Sequence, residues 1–351
     1  FMNVLMLGTY DMNEYSRGRI LWKGLQMNGT TVDVFLPKDR WKYARLAMRL
    51  LRAKEDVILV TGKGALFLAW LLRPFHRKPI VFDVFISDYD TLVLDRKILK
   101  AGSVKARIVW WIDKLAAMMA SLNVLDTQTH VDYFQDEFGA DASRFRIVPV
   151  GSDETVFPFR KLPKHKGINV YFQGTFIPLH GTETIVRAAK LLQKNKSISF
   201  KIVGGGQTYE SSRTLAKQLQ VKNVTWLPFM PLTELVEHMA AGDMSLGSFG
   251  ATPKAQRVIT HKAFDTISVG RPLITADTPA HREVFTHGKT AWLVPPNDAE
   301  ALADAIRILA KNVSLRGRIA REGHRLFVEK YSLRAIGLLL NDILKSVVTE
   351  R

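Results

Sequence analysis

The segment Arg257–Pro272, RVITHKAFDTISVGRP, brings together the residue types an anion site needs. A polar lead runs into a short amphipathic helix, then a Gly-Arg-Pro turn, then the apolar strand Leu273–Thr275. The first amides of a helix lack intrahelical acceptors and sit at the positive end of its dipole, so a helix start attracts negative charge. Lys262 falls in the first turn, the amides of Val258, Ile259 and Thr260 lead up to it, and Asp265 lies one turn on. Phosphate at Lys262 and those amides, with a ribose hydroxyl donating to Asp265, is the arrangement of a nucleotide-sugar site. An ordinary αβ connection with a solvated lysine and aspartate is the competing explanation.

Three glycine-bearing loops extend the pattern. Gly8 ends the first strand and opens the loop GTYDMNEYSRGR, from which Arg17 or Arg19 could face a phosphate; a tight turn explains the glycine equally well. No complete GxGxxG is present, so a dinucleotide fingerprint is not supported. Gly174 has the same place in the second half: a strand, then GTFIPLHG, then a helix from Thr182, with Thr175 and His180 bordering a cleft. A lone histidine is more often a core or surface residue than a functional one. In KIVGGGQ, Lys201–Gln207, the backbone at Gly205 could approach a phosphate or a base, although helix–sheet packing accounts for the glycines almost as well. Phe229, in Pro228–Phe229–Met230, offers an apolar slot for a nucleobase. Asp88 and Asp90 in SDYD have DxD spacing but lie in a loop of the first half, no histidine pair has metal spacing, and no GxSxG elbow exists. No metal is expected.

Short apolar strands alternating with amphipathic helices position these residues. In the first half the strands are Asn3–Leu7, Val32–Phe35, Val57–Val60, Pro79–Asp83, Asn123–Leu125 and Arg146–Val150, with helices such as Arg17–Met27, Trp41–Arg52 and Val104–Ala120. The second half repeats the scheme in Ile168–Phe172, Phe200–Val203, Val224–Leu227, Met244–Ser248, Leu273–Thr275 and Ala291–Val294, with helices Glu183–Leu192 and Leu232–Ala240. All-apolar strands separated by helices imply parallel sheets covered on both faces. The basic stretch Gly151–Lys166 separates the halves, and helices Ala299–Ala310, Ser314–Glu329 and Ser332–Val348 close the chain. The expected fold is α/β: two Rossmann-like doubly wound domains facing across a cleft, residues 1–155 and 156–330, with helix 331–351 returning to the first. Ligands of such sheets bind outside the carboxyl ends of the strands.

The chain has 351 residues, no cysteine and a formal net charge of +17. The missing cysteines exclude a disulfide scaffold and thiolate chemistry. The longest apolar run, Ala65–Leu72, is far short of the roughly twenty residues of a spanning helix, and no leader is visible before the first strand, so a cytoplasmic protein is expected. The positive charge is spread over both halves and suits a polyanion: nucleic acid, a phosphorylated substrate or an anionic membrane. Basic residues border apolar ones in Arg40–Lys54, where Lys42, Arg45, Arg49 and Arg52 form a helical stripe, around Arg73, Arg77 and Lys78, and in Arg96–Trp111. Such stretches suit the inner face of the cell membrane, and solvated faces over an apolar core are the alternative. A helix-turn-helix or an exposed stacking sheet for nucleic acid is not legible.

The order of the second-half motifs resembles the family-four retaining glycosyltransferases with the GT-B fold. The resemblance rests on Gly174–Gly181, on IVGGG (Ile202–Gly206), on the run His261–Ile306 and on VPVGSDETVF (Val148–Phe157), and covers most of residues 148–310. It implies a nucleotide-diphosphate sugar donor, UDP-sugar favoured over GDP-sugar, held by the second domain without a metal, and a glycan or lipid-linked acceptor held by the first. Asp265 then stands where a glutamate binds the ribose, and Arg257 where a glutamate touches the donor sugar, which makes these two the catalytic candidates. Thr175 replaces an arginine and His180 a lysine that grip the diphosphate; Lys262 and the amides of Val258–Thr260 are placed to compensate. Same-face attack with the departing phosphate taking the acceptor proton is the favoured mechanism. A two-carboxylate route drawing on Asp83, Asp88 or Asp90 is the alternative. Rival classes are a GT-B-type epimerase or phosphorylase and a basic nucleic-acid-binding protein.

Overall fold

The computed structural model describes residues 2–12 and 15–349 and divides into two compact units, Phe1–Gly151 with Leu333–Arg351, and Ser152–Ser332. In the first unit β1 (Asn3–Gly8), α1 (Ser16–Met27), β2 (Thr31–Phe35), α2 (Lys42–Leu51) and β3 (Val57–Thr61) lead to the helix pair α3 (Lys63–Leu71) and α4 (Arg73–His76). Next come β4 (Ile80–Asp83), a π-helical turn at Asp90–Asp95, α5 (Val104–Met119), β5 (Leu122–Leu125), α6 (Gln128–Phe138) and β6 (Phe145–Ile147). The strands pair in parallel in the order β2-β1-β3-β4-β5-β6. β3 is buried at every position because helices cover both faces, which its VILVT sequence requires.

The second unit runs β7 (Ile168–Gly174), α7 (Thr182–Leu192), β8 (Ile198–Gly204), α8 (Tyr209–Gln218), β9 (Val224–Leu227), α9 (Leu232–Ala240) and β10 (Met244–Leu246). It continues through α10 (His261–Ser268), β11 (Leu273–Ala276), α11 (Pro279–Val284), β12 (Trp292–Val294), α12 (Ala299–Lys311) and α13 (Val313–Lys330). The parallel order is β12-β11-β10-β7-β8-β9. Counted from β7, this is the 3-2-1-4-5-6 order of doubly wound nucleotide-binding sheets, and its switch point lies where β7 and β10 adjoin.

α14 (Leu333–Thr349) packs on α1 in the first unit. Gly24 and Gly337 meet there: a Cβ on Gly337 would lie 1.9 Å from the Gly24 carbonyl oxygen. Asn28 Nδ2 donates to the Arg334 carbonyl, and Thr30 Oγ1 to Asn341 Oδ1.

Two boundaries differ from expectation. The last strand of the first unit is Phe145–Ile147 instead of Arg146–Val150, because the Val148 and Pro149 carbonyls accept from Arg17. The second unit begins at Ser152, whose amide donates to the Tyr331 carbonyl and whose hydroxyl donates to Asp265. The Gly151–Lys166 stretch is pinned, too: the buried Arg271 guanidinium donates to the Lys161 carbonyl 2.8 Å away and also to the Arg160 carbonyl.

Candidate functional site

At the switch point of the second unit, the end of β7 meets the start of α10. Gly174 is the last residue of β7, and a Cβ there would lie 2.8 Å from Lys262 Nζ and 2.9 Å from His180 Nδ1. An amine and an imidazole thus converge on that backbone. Lys262 sits in the first turn of α10 and is buried, with Nζ 4.5 Å from the centroid of the Phe172 ring. Among the described residues Nζ has no hydrogen-bond partner. Burial pushes its ammonium well below the ordinary lysine range, and the nearby Asp265 charge offsets this only in part. A desolvated amine of this kind costs stability unless an anion meets it.

Asp265 is buried one turn further along α10 and accepts from Ser152 Oγ at 2.6 Å. Thr260 caps α10 with extended backbone angles and places Oγ1 3.2 Å from Ser248 Oγ, beyond the end of β10. The side chains of Val258 and Ile259 are buried, Val258 against Leu179 and Ala255. Arg257 is half-buried after a short 3-10 turn, Lys254–Gln256. Thr175 is exposed.

The glycine triplet packs against the same loop. Gly204 and Gly206 have φ of +122° and +138°, and a Cβ on either would run into the Gly174 or Thr175 carbonyl oxygen at 2.0 and 1.9 Å. Between them Gly205 is open except toward Phe229, whose exposed ring would stand 3.4 Å from its Cβ. Ser152, Ser248 and Phe172 escaped sequence reasoning. VPVGSDETVF pointed near Ser152, but nothing in the spacing tied that hydroxyl to Asp265.

Several expectations in the first unit are corrected. Arg17 faces no ligand: it is fully buried, with Nε 2.8 Å from Asp83 Oδ1. Asp83 is thereby tied to the fold, Asp88 is half-exposed and pairs with Lys63, and Asp90 is buried. The space over Gly8 is taken by Tyr10, whose hydroxyl lies 3.0 Å from Thr61 Oγ1. The cationic stripe of α2 is interrupted, because Arg45 bonds Asp39 and Arg49 bonds Asp33 and Glu55. Among the described residues, no group of three His, Cys, Asp or Glu side chains could hold a metal ion.

A doubly wound parallel sheet with a basic, glycine-lined switch point is the frame of nucleotide-binding α/β proteins. Residues 153–325 match the family model described as glycosyl transferases group 1. The alpha-D-kanosaminyltransferase of Streptomyces kanamyceticus is 24% identical over 303 residues, 82% of this chain and 75% of that protein. Among solved structures, sucrose-phosphate synthase from Thermosynechococcus elongatus superposes with a TM-score of 0.77 at 15% identity, covering 100% of both chains. HepE from Anabaena, in complex with UDP and glucose, gives 0.75 at 16% identity over 99% of this chain and 100% of that one. These structural likenesses show the fold, an α/β two-domain GT-B fold. The chain carries a group 1 glycosyl transferase domain.

Proposed function

We propose that this glycosyltransferase moves a hexosyl unit from a nucleotide-diphosphate donor, UDP-sugar in preference to GDP-sugar, to a glycan or lipid-linked acceptor with retention of configuration. The setting would be bacterial glycan or glycolipid synthesis, on the inner face of the cell membrane. One observation carries the reading: the buried, unpartnered Lys262 amine over Gly174 beside His180, inside the family domain. HepE, which has the same fold, is in complex with UDP and glucose, which favours uridine.

In this reading Lys262 and the amides of Val258, Ile259 and Thr260 take the diphosphate, with Gly174, Thr175 and His180 closing over it. Asp265 accepts a ribose hydroxyl while Ser152 fixes its rotamer, and the base lies on Phe229 above Gly205. Arg257 reaches the donor sugar. The leaving diphosphate gains charge as the glycosidic bond breaks, so fixed cations and amides stabilise the transition state more than the ground state. The departing phosphate oxygen then takes the acceptor proton as the acceptor attacks on the same face. No resident cofactor enters this scheme.

Incubation with UDP- and GDP-sugars, with and without a polyprenyl-phosphate-linked acceptor, tests the class. Nucleotide release that depends on acceptor indicates transfer; release or isomerisation without acceptor indicates an epimerase or hydrolytic enzyme. Asp265→Asn keeps an acceptor for Ser152 and should lower transfer about tenfold or more with an unchanged melting curve. Unchanged kinetics would remove Asp265 from the site.

A further inference from the structure

In the first unit, every connection from β2 onward steps the same way across the sheet. Right-handed crossovers therefore place α2, α3, α5 and α6 in one layer, with α4 beside α2 and α3. A soluble layer turns polar residues outward, and α6 does so with Asp132, Gln135 and Asp136. Its neighbour α5 does not. Val104, Ile108, Trp111, Leu115 and Met118 recur at helical spacing along α5 and are each 40–73% exposed. The same outward apolar character continues on α3 and α4 with Trp70, Leu71 and Phe75, and on α2 with Met48 and Leu51. An outward apolar surface spanning four helices is unusual for a soluble protein and marks an interaction face.

Its charge selects the partner. Arg52, Arg73, Arg77, Lys105 and Arg107 border the apolar rows and make no ion pair among the described residues. Trp70, Leu71, Arg73, Pro74 and Arg77 line an open groove where the two kinds of side chain mix. The one acidic residue of α5, Asp113, is buried and pairs with Lys63 beneath the surface. Apolar rows carrying tryptophan and fringed by cations, with the carboxylates beside α2 and α3 held in ion pairs by Arg45, Arg49 and Lys63, fit the headgroup region of an anionic bilayer. No helix among the described residues is long and apolar enough to cross a membrane.

We infer that the α2–α5 face docks flat on an anionic lipid surface, with α5 as its main apolar contact. This deepens the membrane-associated acceptor of the proposed function and is tested apart from it. The probe is co-sedimentation with phosphatidylcholine vesicles containing about one-third phosphatidylglycerol, against phosphatidylcholine alone. The full chain should bind the anionic vesicles and be released by added salt. Ile108→Glu combined with Trp111→Glu should weaken binding about tenfold or more, and so should Lys105→Glu combined with Arg107→Glu. All these side chains are exposed, so circular dichroism and the UDP-induced thermal shift should match wild type. Intact UDP binding with lost vesicle binding separates this inference from the donor site. Equal recovery on neutral and anionic vesicles would overturn it. So would unchanged binding in the Ile108→Glu, Trp111→Glu variant, dissociation of a dimer by that variant in light scattering, or equally tight binding of duplex DNA.

Discussion

His281 is fully buried, with Nδ1 2.7 Å from Thr278 Oγ1 and Nε2 3.1 Å from Thr275 Oγ1. Burial lowers its pKa to about 4, so the ring is neutral at physiological pH. Unfolding restores an ordinary value near 6.5. Between these two values the unfolded chain holds the extra proton, so stability is full above pH ~6.5 and falls toward pH ~4. The loss amounts to about 3 kcal/mol. Urea unfolding at pH 7 and pH 4.5 should show this drop, and His281→Asn should flatten it; an equal drop in both proteins would place the proton elsewhere. Residues at the candidate site were legible to different degrees. Gly174, His180 and Lys262 stand in recognisable spacing, but their convergence depends on β7 adjoining β10, a long-range pairing that no local pattern encodes. Arg17 was misread for the same reason: its partners Asp83 and Val148 are distant in sequence.

Helices and strands followed apolar periodicity closely wherever the run was long. Helix α7 begins at Thr182 as expected, because Gly181, in the left-handed region at φ +61°, ends the loop before it. Departures occur where side chains capture backbone groups, as at Val148 and Pro149, or where the helical pitch changes, as in the π-helical turn at Asp90–Asp95. The contact of α1 with α14 shows how an element can depend on two missing methyl groups. A Cβ on Gly337 would overlap the Gly24 carbonyl, and backbone, unlike a flexible side chain, yields only by separating the helices. Gly337→Ala should therefore destabilise the chain by about 1–3 kcal/mol despite alanine's better helix propensity. Denaturant melts with an unchanged m-value would report it, and a stabilised variant would show that the Gly24–Gly337 contact does not limit the approach of the two helices.

At the scale of the whole molecule, the two sheets divide their tasks in different chemical terms. The first unit spends its buried charges on folding, through Arg17 with Asp83 and Lys63 with Asp113, and turns apolar and cationic side chains outward. The second unit keeps at its switch point a buried amine that has no hydrogen-bond acceptor among the described residues, which costs stability. The net charge of +17 was visible at once in the sequence, but which cations are paired and which line an apolar face depends on tertiary neighbours.

Lys262→Met, followed by thermal unfolding with and without UDP, tests the central claim most directly. Removal of an unsatisfied buried amine should raise the Tm of the free protein by a few degrees, roughly 1–2 kcal/mol, while the UDP-induced rise shrinks to about a third of the wild-type value or less. A lower Tm in the free variant, with the UDP-induced rise intact, would make Lys262 a packing residue and contradict the account.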